Sequence, residues 1–465
     1  MKDLTKGNPI KTLFIFALPI ILSDLIQGIQ SLIDLFYVGR LVGTSGIAVI
    51  SIVMPIIFLL LAILIGIGTS SNILIAQAFG ANDKEKLSKV IRNSFSVTLI
   101  LSSLLTIIGI LLSPIILHLL SIPQNIFTST LIFLNITILS LPLTALENWL
   151  MGITRGLGNS KFSLYFAITL LILKFILTPI FIKGLWIISE MGAIGAAVSN
   201  IFIAIILLII FGFYLIKKYE IIRKNIKLEF EKEIFFKFIG IGLPASLQMI
   251  IISLSVTVLM GFISRFGEKT IALFGIGNRI DQFAFLPAMS LGNSMTTLSS
   301  QNLSANRQDR VKEFLKWSQI ISLILSVIVV IFVNLFAKDI FNFFVKDEEL
   351  ALMGIDYFRI MSIAYIIMGL NFSIQGIIRG AGDTIAIMIL KLISMILLRI
   401  PIAYLLAFVI LKSPNGIWAS FPILVFFELI VSYTYYKSEL WRGKIVFKKK
   451  TEEIEAQIVE KPDLA

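Results

Sequence analysis

Apolar residues fill this chain in blocks of twenty or more, and polar residues gather between the blocks rather than alternating within them. A helix that crosses a membrane needs about 20 predominantly apolar residues. Lipid satisfies no backbone hydrogen bond, so such a block must fold as a helix. The pattern predicts twelve membrane helices, at 11–37, 47–76, 90–117, 127–151, 162–183, 192–216, 236–264, 271–300, 315–337, 353–378, 385–411 and 416–437. The blocks at 47–76 and 271–300 exceed one bilayer thickness, which predicts tilt or extension into the cytoplasm. Lys2, Lys6 and Lys11 precede the first block as they would in a signal peptide. Its length, the Asp24 and Asp34 inside it and the lack of a small-residue cleavage site predict a retained helix instead.

The chain is also written twice, at a spacing of 224 residues. Gln77-Ala78-Phe79-Gly80-Ala81-Asn82 returns as Gln301-Asn302-Leu303-Ser304-Ala305-Asn306. Gly152 to Ser160 (GITRGLGNS) returns as Gly376 to Thr384 (GIIRGAGDT). Helix-interior prolines pair as well, with slight slippage: Pro19 with Pro244, and Pro179 with Pro401. Six spans per copy is an even number, so both copies enter the membrane from the same side and are related by an axis along its normal. The expected fold is an all-α polytopic membrane protein, with twelve transmembrane helices in two parallel-repeat six-helix lobes around a central cleft. The divisions expected are 1–216, 217–235 as a cytoplasmic linker, 236–440, and 441–465 as a basic, disordered tail. Two lobes that rock about a cleft suit a carrier better than a pore or a membrane enzyme.

Composition agrees: 57% of the 465 residues are hydrophobic and 15% charged, against about 25% charged in soluble chains. The net charge of +12 would suggest nucleic acid in a soluble protein. Here most of the Lys and Arg fall on the side of the N-terminus, which places both termini in the cytoplasm and excludes a nucleic-acid partner. The lysines from Lys217 to Lys237 and at Lys448 to Lys450 read as electrostatic contact with an anionic leaflet. There is no Cys and one His, His118, expected as a solvated residue at the outer interface. No disulfide, thiolate site or histidine-rich metal site can form, so neither an enzyme nor a cofactor is expected.

The Arg-Gly-x-Gly segments at Arg155 and Arg379 read as tight turns, with glycines at positive φ and Asn, Ser, Asp or Thr capping the next helix; a gating contact through either arginine is the sharper reading. Neither opens a strand-to-helix unit, so no dinucleotide fingerprint is present. No ATPase-type phosphate loop occurs either, so energy must come from an ion gradient or from the substrate.

The segments Leu18-Pro19-Ile20-Ile21 with Asp34 and Gly39-Arg40, Gln77-x-x-Gly80-Ala81, and Arg155-Gly156-x-Gly158-Asn159 resemble the multidrug and toxic compound extrusion (MATE) family. Arg279-Ile280-Asp281 through Pro287, Gln301-Asn302 and Arg379 to Thr384 are similar to it in the second half. The resemblance spans roughly residues 5–440 and lies nearest the DinF-like or MepA-like branch. It implies export of small organic, often cationic and amphipathic, compounds in exchange for protons or sodium. Flipping of a lipid-linked saccharide, as in the wider superfamily, is the alternative, disfavoured by twelve spans and few cationic cleft residues. The lean to Ile, Lys and Asn suggests an AT-rich bacterial genome and hence a bacterial inner membrane. A monomer is expected to suffice.

Charged groups inside the membrane need a reason, since each disfavours insertion by roughly 2.5–3.5 kcal/mol. Asp24, Gln27, Ser31 and Asp34 fall on one stripe about 80° wide on the first helix, at about 100° per residue. Asp34 is the expected coupling acid, and Asp24 either joins it or satisfies backbone groups freed by Pro19. The family's fifth helix commonly reads Asn-x-x-Leu-Asp-Pro. Here the frame reads Lys174-Phe175-Ile176-Leu177-Thr178-Pro179. Lys174 in place of Asn and Thr178 in place of Asp would repel sodium, so an Asp34–Lys174 pair with proton coupling is expected. The alternative sends Lys174 into the cleft without touching Asp34. Gln27, Ser31, Gln248, Asp281 and Glu147 are candidates for the substrate cleft. Asp281 could instead bridge to Lys391 or Arg399, Gln248 could support the Pro244 kink, and Glu147 and Glu428 could bond between helices.

Overall fold

The computed structural model describes residues 2–184 and 189–449, the side chains of Ser31, Leu35 and Ser45 excepted. Among them there is no strand, and twelve long helical segments follow one another. They are α1 (Pro9–Leu41), α2 (Thr44–Gly80), α3 (Lys84–Leu119), α4 (Gln124–Gly156), α5 (Lys161–Lys183) and α6 (Ala193–Lys218) in the first half. The second half holds α7 (Lys232–Ile263), α8 (Glu268–Ser304), α9 (Gln308–Leu335), α10 (Glu348–Gly380), α11 (Thr384–Ile410) and α12 (Asn415–Ser438). Eleven are long and apolar enough to cross a membrane. The other, α8, carries Glu268, Lys269, Arg279 and Asp281 and buries every residue from Ser294 to Ser304, the pattern of a helix shielded by its neighbours. At 37 residues each, α2 and α8 run for about 55 Å, well past a hydrocarbon core of about 30 Å.

Local chemistry sets the ends. Asn8, Asp83, Asp347 and Asp383 cap α1, α3, α10 and α11 by accepting from backbone N–H groups in the first turn. Asn82 and Asn306, equivalent in the repeat, both take positive φ after α2 and α8 (57° and 59°). Gly158 and Gly382 do likewise (79° and 100°), as the turn reading requires. The capping half of that reading holds only in the second copy: Ser160 makes no cap bond, and Asn159 donates to the Tyr219 hydroxyl at 3.0 Å. Pro142 interrupts α4 beside Ser140, and two π-helical stretches flank Pro401 in α11, where the missing N–H loosens the ladder. Both α1 and α7 run unbroken through Pro19 and Pro244.

The halves stand parallel. A Cβ on Gly80 at the end of α2 would lie 2.2 Å from the Gln301 carbonyl oxygen at the end of α8, so equivalent helix ends meet on the side where residues 2–8 and 441–449 lie, the terminal side. There α1, α2, α7 and α8 form the contact between the halves, and the outer helices of each copy surround its own pair. The core clusters do not divide as the repeat does. Ile234, Phe238 and Ile241 of α7 pack into the first half's core. Leu4, Leu13, Phe16, Ala17 and Ile20 pack among Leu291, Met295, Phe314 and Ile377 of the second. The inner helices thus cross over at the terminal side, which a division at residue 216 does not anticipate.

The two flanking segments also depart from expectation. The linker forms a short helix, Glu220–Asn225, and then lies on α3: Glu229 N–H donates to Ser96 Oγ at 2.8 Å, and Arg92 Nη1 sits 2.6 Å from Glu229 Oε2. Residues 441–449, expected as the start of a free tail, are docked. Trp441 and Phe447 are buried, and Lys449 N–H donates to Ser304 O at 3.0 Å. Large apolar side chains leave little choice once a groove between the halves is there to receive them. The expected disorder beyond Lys450 lies outside the described residues.

Candidate functional site

Helices α1 and α5 pack side by side, and their register is held by the buried Gln30 amide, which donates to Ala167 O at 2.8 Å. Further along, the Tyr37 hydroxyl donates to Phe175 O at 3.2 Å. Between these bonds Lys174 Nζ meets Asp34 Oδ2 at 2.6 Å, with both side chains only 13% exposed. Asp34 Oδ1 is buried and has no hydrogen-bond partner among the described residues. Thr178, one turn beyond Lys174, is buried, and its hydroxyl turns to Ser199 on α6 at 3.4 Å. Glu147 on α4 is half-buried and near enough to Lys174 for the two charges to interact; it makes no hydrogen bond among the described residues. The ammonium therefore pairs with Asp34 and feels Glu147 only at longer range.

Asp24 stands about 15 Å away along α1 and does different work. Ser290 Oγ of α8 donates to its Oδ2 at 2.6 Å, and Arg155 Nη2 lies 3.7 Å from its Oδ1. It is neither beside Asp34 nor a partner for the groups freed by Pro19: it ties α1 and the end of α4 to the opposite half. Arg155 is also held through Nε by Ser163 Oγ at 3.0 Å. Among the described residues its repeat partner Arg379 has no carboxylate partner, only Asn293 Oδ1 at 3.4 Å, and its Nε is buried without a partner.

The second half buries its charges. Asp281, expected in the cleft or bridged to Lys391 or Arg399, is 6% exposed. Tyr357 and Tyr365 donate one hydroxyl to each of its oxygens, both at 2.5 Å. The tyrosines project from α10 at a spacing of eight residues, two helical turns along one face, and so close over the carboxylate. Arg399 stacks 4.5 Å from the Phe421 ring instead of binding Asp281 directly. Lys391 bonds Glu428, Nζ to Oε2 at 2.5 Å, and both are almost wholly buried. Ser394 and Asn371 complete the Glu428 shell at 2.6 and 3.0 Å. Glu428 is therefore an inter-helix bond, and Asp281 is an interior group rather than a cleft residue. Tyr357, Tyr365 and Asn371 escaped sequence reasoning because hydroxyls and amides inside apolar runs carry no sign of their partner.

Of the remaining candidates, Gln27 is half-buried and donates to Ser23 Oγ on its own helix at 3.1 Å. Gln248 is half-buried and makes no hydrogen bond among the described residues, so it does not support the Pro244 kink. The Ser31 side chain lies outside the described residues. His118 is exposed beside Phe127, with Nδ1 2.7 Å from Pro114 O. Among the described residues no group of three or more His, Cys, Asp or Glu is placed to hold a metal ion.

The MatE family model matches residues 19–180 and 244–405. The chain is 26% identical to the probable multidrug resistance protein YoeA of Bacillus subtilis over 95% of this chain and 96% of that protein. It is 26% identical to the multidrug export protein MepA of Staphylococcus aureus over 81% and 83% of the two. A crystal structure of MATE in complex with MaL6 superposes with a TM-score of 0.87 at 20% identity, over 94% of this chain and 97% of that one. An outward-facing multidrug resistance MATE transporter of the MOP superfamily does so with a TM-score of 0.86, 20% identity and the same coverage. Two matched blocks covering most of the chain, one in each half, make it a member of the MatE family.

Proposed function

We propose that the protein exports small organic, often cationic and amphipathic, compounds by proton-coupled antiport with alternating access. The observation that carries the coupling is the Asp34–Lys174 pair at 2.6 Å. An ammonium fixed on the carboxylate occupies the place a sodium ion would need and repels it, at roughly 4 kcal/mol for unit charges 4 Å apart in a medium of effective dielectric 20. A proton can instead reach Asp34, release Lys174 toward Glu147 and change the charge that α1 presents. No cofactor beyond the ion is called for. Relatives named as multidrug resistance and multidrug export proteins support the class of cargo.

The closed terminal side supports an outward-facing state, with both termini in the cytoplasm of a bacterium and the chain working in its inner membrane as a monomer. Positive charge gathered on that side favours this orientation. The test is dye uptake into inverted vesicles under an imposed pH or sodium gradient, comparing wild type with Asp34→Asn and Lys174→Asn. A pH gradient should drive uptake and Asp34→Asn should abolish it. Sodium-driven uptake that Asp34→Asn removes would overturn the reading.

A further inference from the structure

We propose that the terminal-side end of the second half carries a binding site for the phosphate headgroup of an anionic phospholipid, set between α9 and α12. The groove there has a volume of about 390 Å3. Lys312 and Lys316 line it from the first turns of α9, and Lys437 from the end of α12. None of the three has a carboxylate partner among the described residues. Arg442, across the groove, is paired with Glu439, yet its Nε is buried with no hydrogen-bond partner among the described residues.

The floor is aromatic. Tyr436 stacks on Trp441 with ring centroids 5.8 Å apart and planes 8° apart, and Trp441 is 2% exposed. Lys316 stands over Trp317, Lys437 over Tyr433 and Arg442 over Trp441, at 5.5–5.8 Å. Aromatic rings beside cations mark the depth of the headgroups. The lipid-facing band starts directly above: Ile320, Leu323 and Ile324 on α9 and Phe426 and Ile430 on α12 are exposed apolar residues. A phosphate among the lysines would lead its acyl chains onto those two faces.

The repeat shows what this position wants. Arg92 occupies in α3 the place of Lys316 in α9, 224 residues apart. In the first half the chain supplies its own anion, Glu229, 2.6 Å from Arg92. In the second half Lys316 has no such carboxylate among the described residues, while Lys312 stands where the first half has the neutral Ser88. At the same spacing Lys437 stands where the first half has the apolar Phe213, so the groove gains two cations, and Glu229 falls on Glu453, which lies outside the described residues.

The full-length protein is stripped of lipid in detergent and titrated with phosphatidylglycerol, phosphatidylcholine or inorganic phosphate, with bound species read by native mass spectrometry. Phosphatidylglycerol should bind at least about tenfold more tightly than phosphatidylcholine, and Lys312→Gln/Lys316→Gln/Lys437→Gln should remove that preference. Lys84→Gln/Lys227→Gln/Lys232→Gln, which takes the same charge from elsewhere on the terminal side, should keep it. Equal loss in both triple variants would overturn the proposal, as would no preference in the wild type. Inorganic phosphate that competes as well as the lipid would also overturn it. So would a wild-type affinity that rises about tenfold when residues 450–465 are removed, since their Glu452, Glu453 and Glu455 would then be the occupant.

Discussion

Gln77 and Gln301 hold the same place in the two copies, and each reaches into the opposite copy. Gln77 Nε2 donates to Gly380 O at 2.9 Å and Gln301 Nε2 donates to Gly156 O at 2.7 Å. Each then accepts on its carbonyl oxygen from a chain end: Gln301 from Leu4 N–H at 3.1 Å, Gln77 from Val446 N–H at 2.9 Å. Both amides are fully buried. The clasp knits the helix ends, the N-terminal segment and residues 445–449 into one closed face.

Losing Gln301 strands the Gly156 carbonyl and the Leu4 N–H, and losing Gln77 strands the N–H groups of Val446 and Phe447 while Gly380 O keeps Ser300 Oγ; each stranded buried group costs about 1–3 kcal/mol. Gln77→Ala/Gln301→Ala should therefore shift the protein toward opening at the terminal side. The chain has no cysteine, so a single Ser304→Cys, at a buried position whose hydroxyl has no partner among the described residues, reports directly. Maleimide labelling from the terminal side should rise severalfold in the double variant; unchanged labelling would sink the idea of a clasp.

Asp34 and Lys174 should behave as one unit. Breaking a fully buried pair costs about 3–5 kcal/mol, and less here because both side chains are 13% exposed. Lys174→Met alone should lower the melting temperature, and Asp34→Asn added to it should recover most of the loss. Additive losses in the double-mutant cycle would mean the two side chains do not sense each other.

Lys391 and Glu428 differ in kind, being 3% and 0% exposed. Glu428→Ala leaves the ammonium buried beside Ser394 and Asn371 with no counter-charge, an expected loss of about 3–5 kcal/mol. Lys391→Met/Glu428→Leu should melt close to wild type in detergent. A Glu428→Ala variant as stable as the parent would contradict the buried pairing.

At the start of α3 the acid tolerance should be local. The backbone N–H of Lys86 and the ammonium of the same residue hold the Asp83 carboxyl below its ordinary value of 3.8. A carboxyl lowered on folding adds stability that is present above that value and fades as pH falls through the folded one. Hydrogen exchange in the first turn of α3 should quicken below about pH 4, and Asp83→Asn, which keeps the cap oxygen, should flatten that dependence.

The charged residues show how far a sequence can be read. The Asp34–Lys174 contact could be anticipated because two departures from one motif pointed at the same spot, and a carboxylate and an ammonium within apolar helices have few other uses. Asp281 could not be placed, since its partners are two tyrosine hydroxyls on α10 that look like packing residues in one dimension. Asp24 shares a stripe with Asp34, and helical periodicity cannot tell which neighbour each end of the stripe will meet.

Apolar block length, the doubling at 224 residues and the even number of spans per copy settled the helices, the parallel halves and the side that carries the positive charge. These are properties of a chain measured along itself against the thickness and polarity of a bilayer. Which side chains touch across the halves was decided only when the helices were packed. The exchange of α1 and α7 between cores, the buried glutamines and the docking of residues 441–449 all depend on distances between segments hundreds of residues apart, and periodicity along one helix holds no record of them.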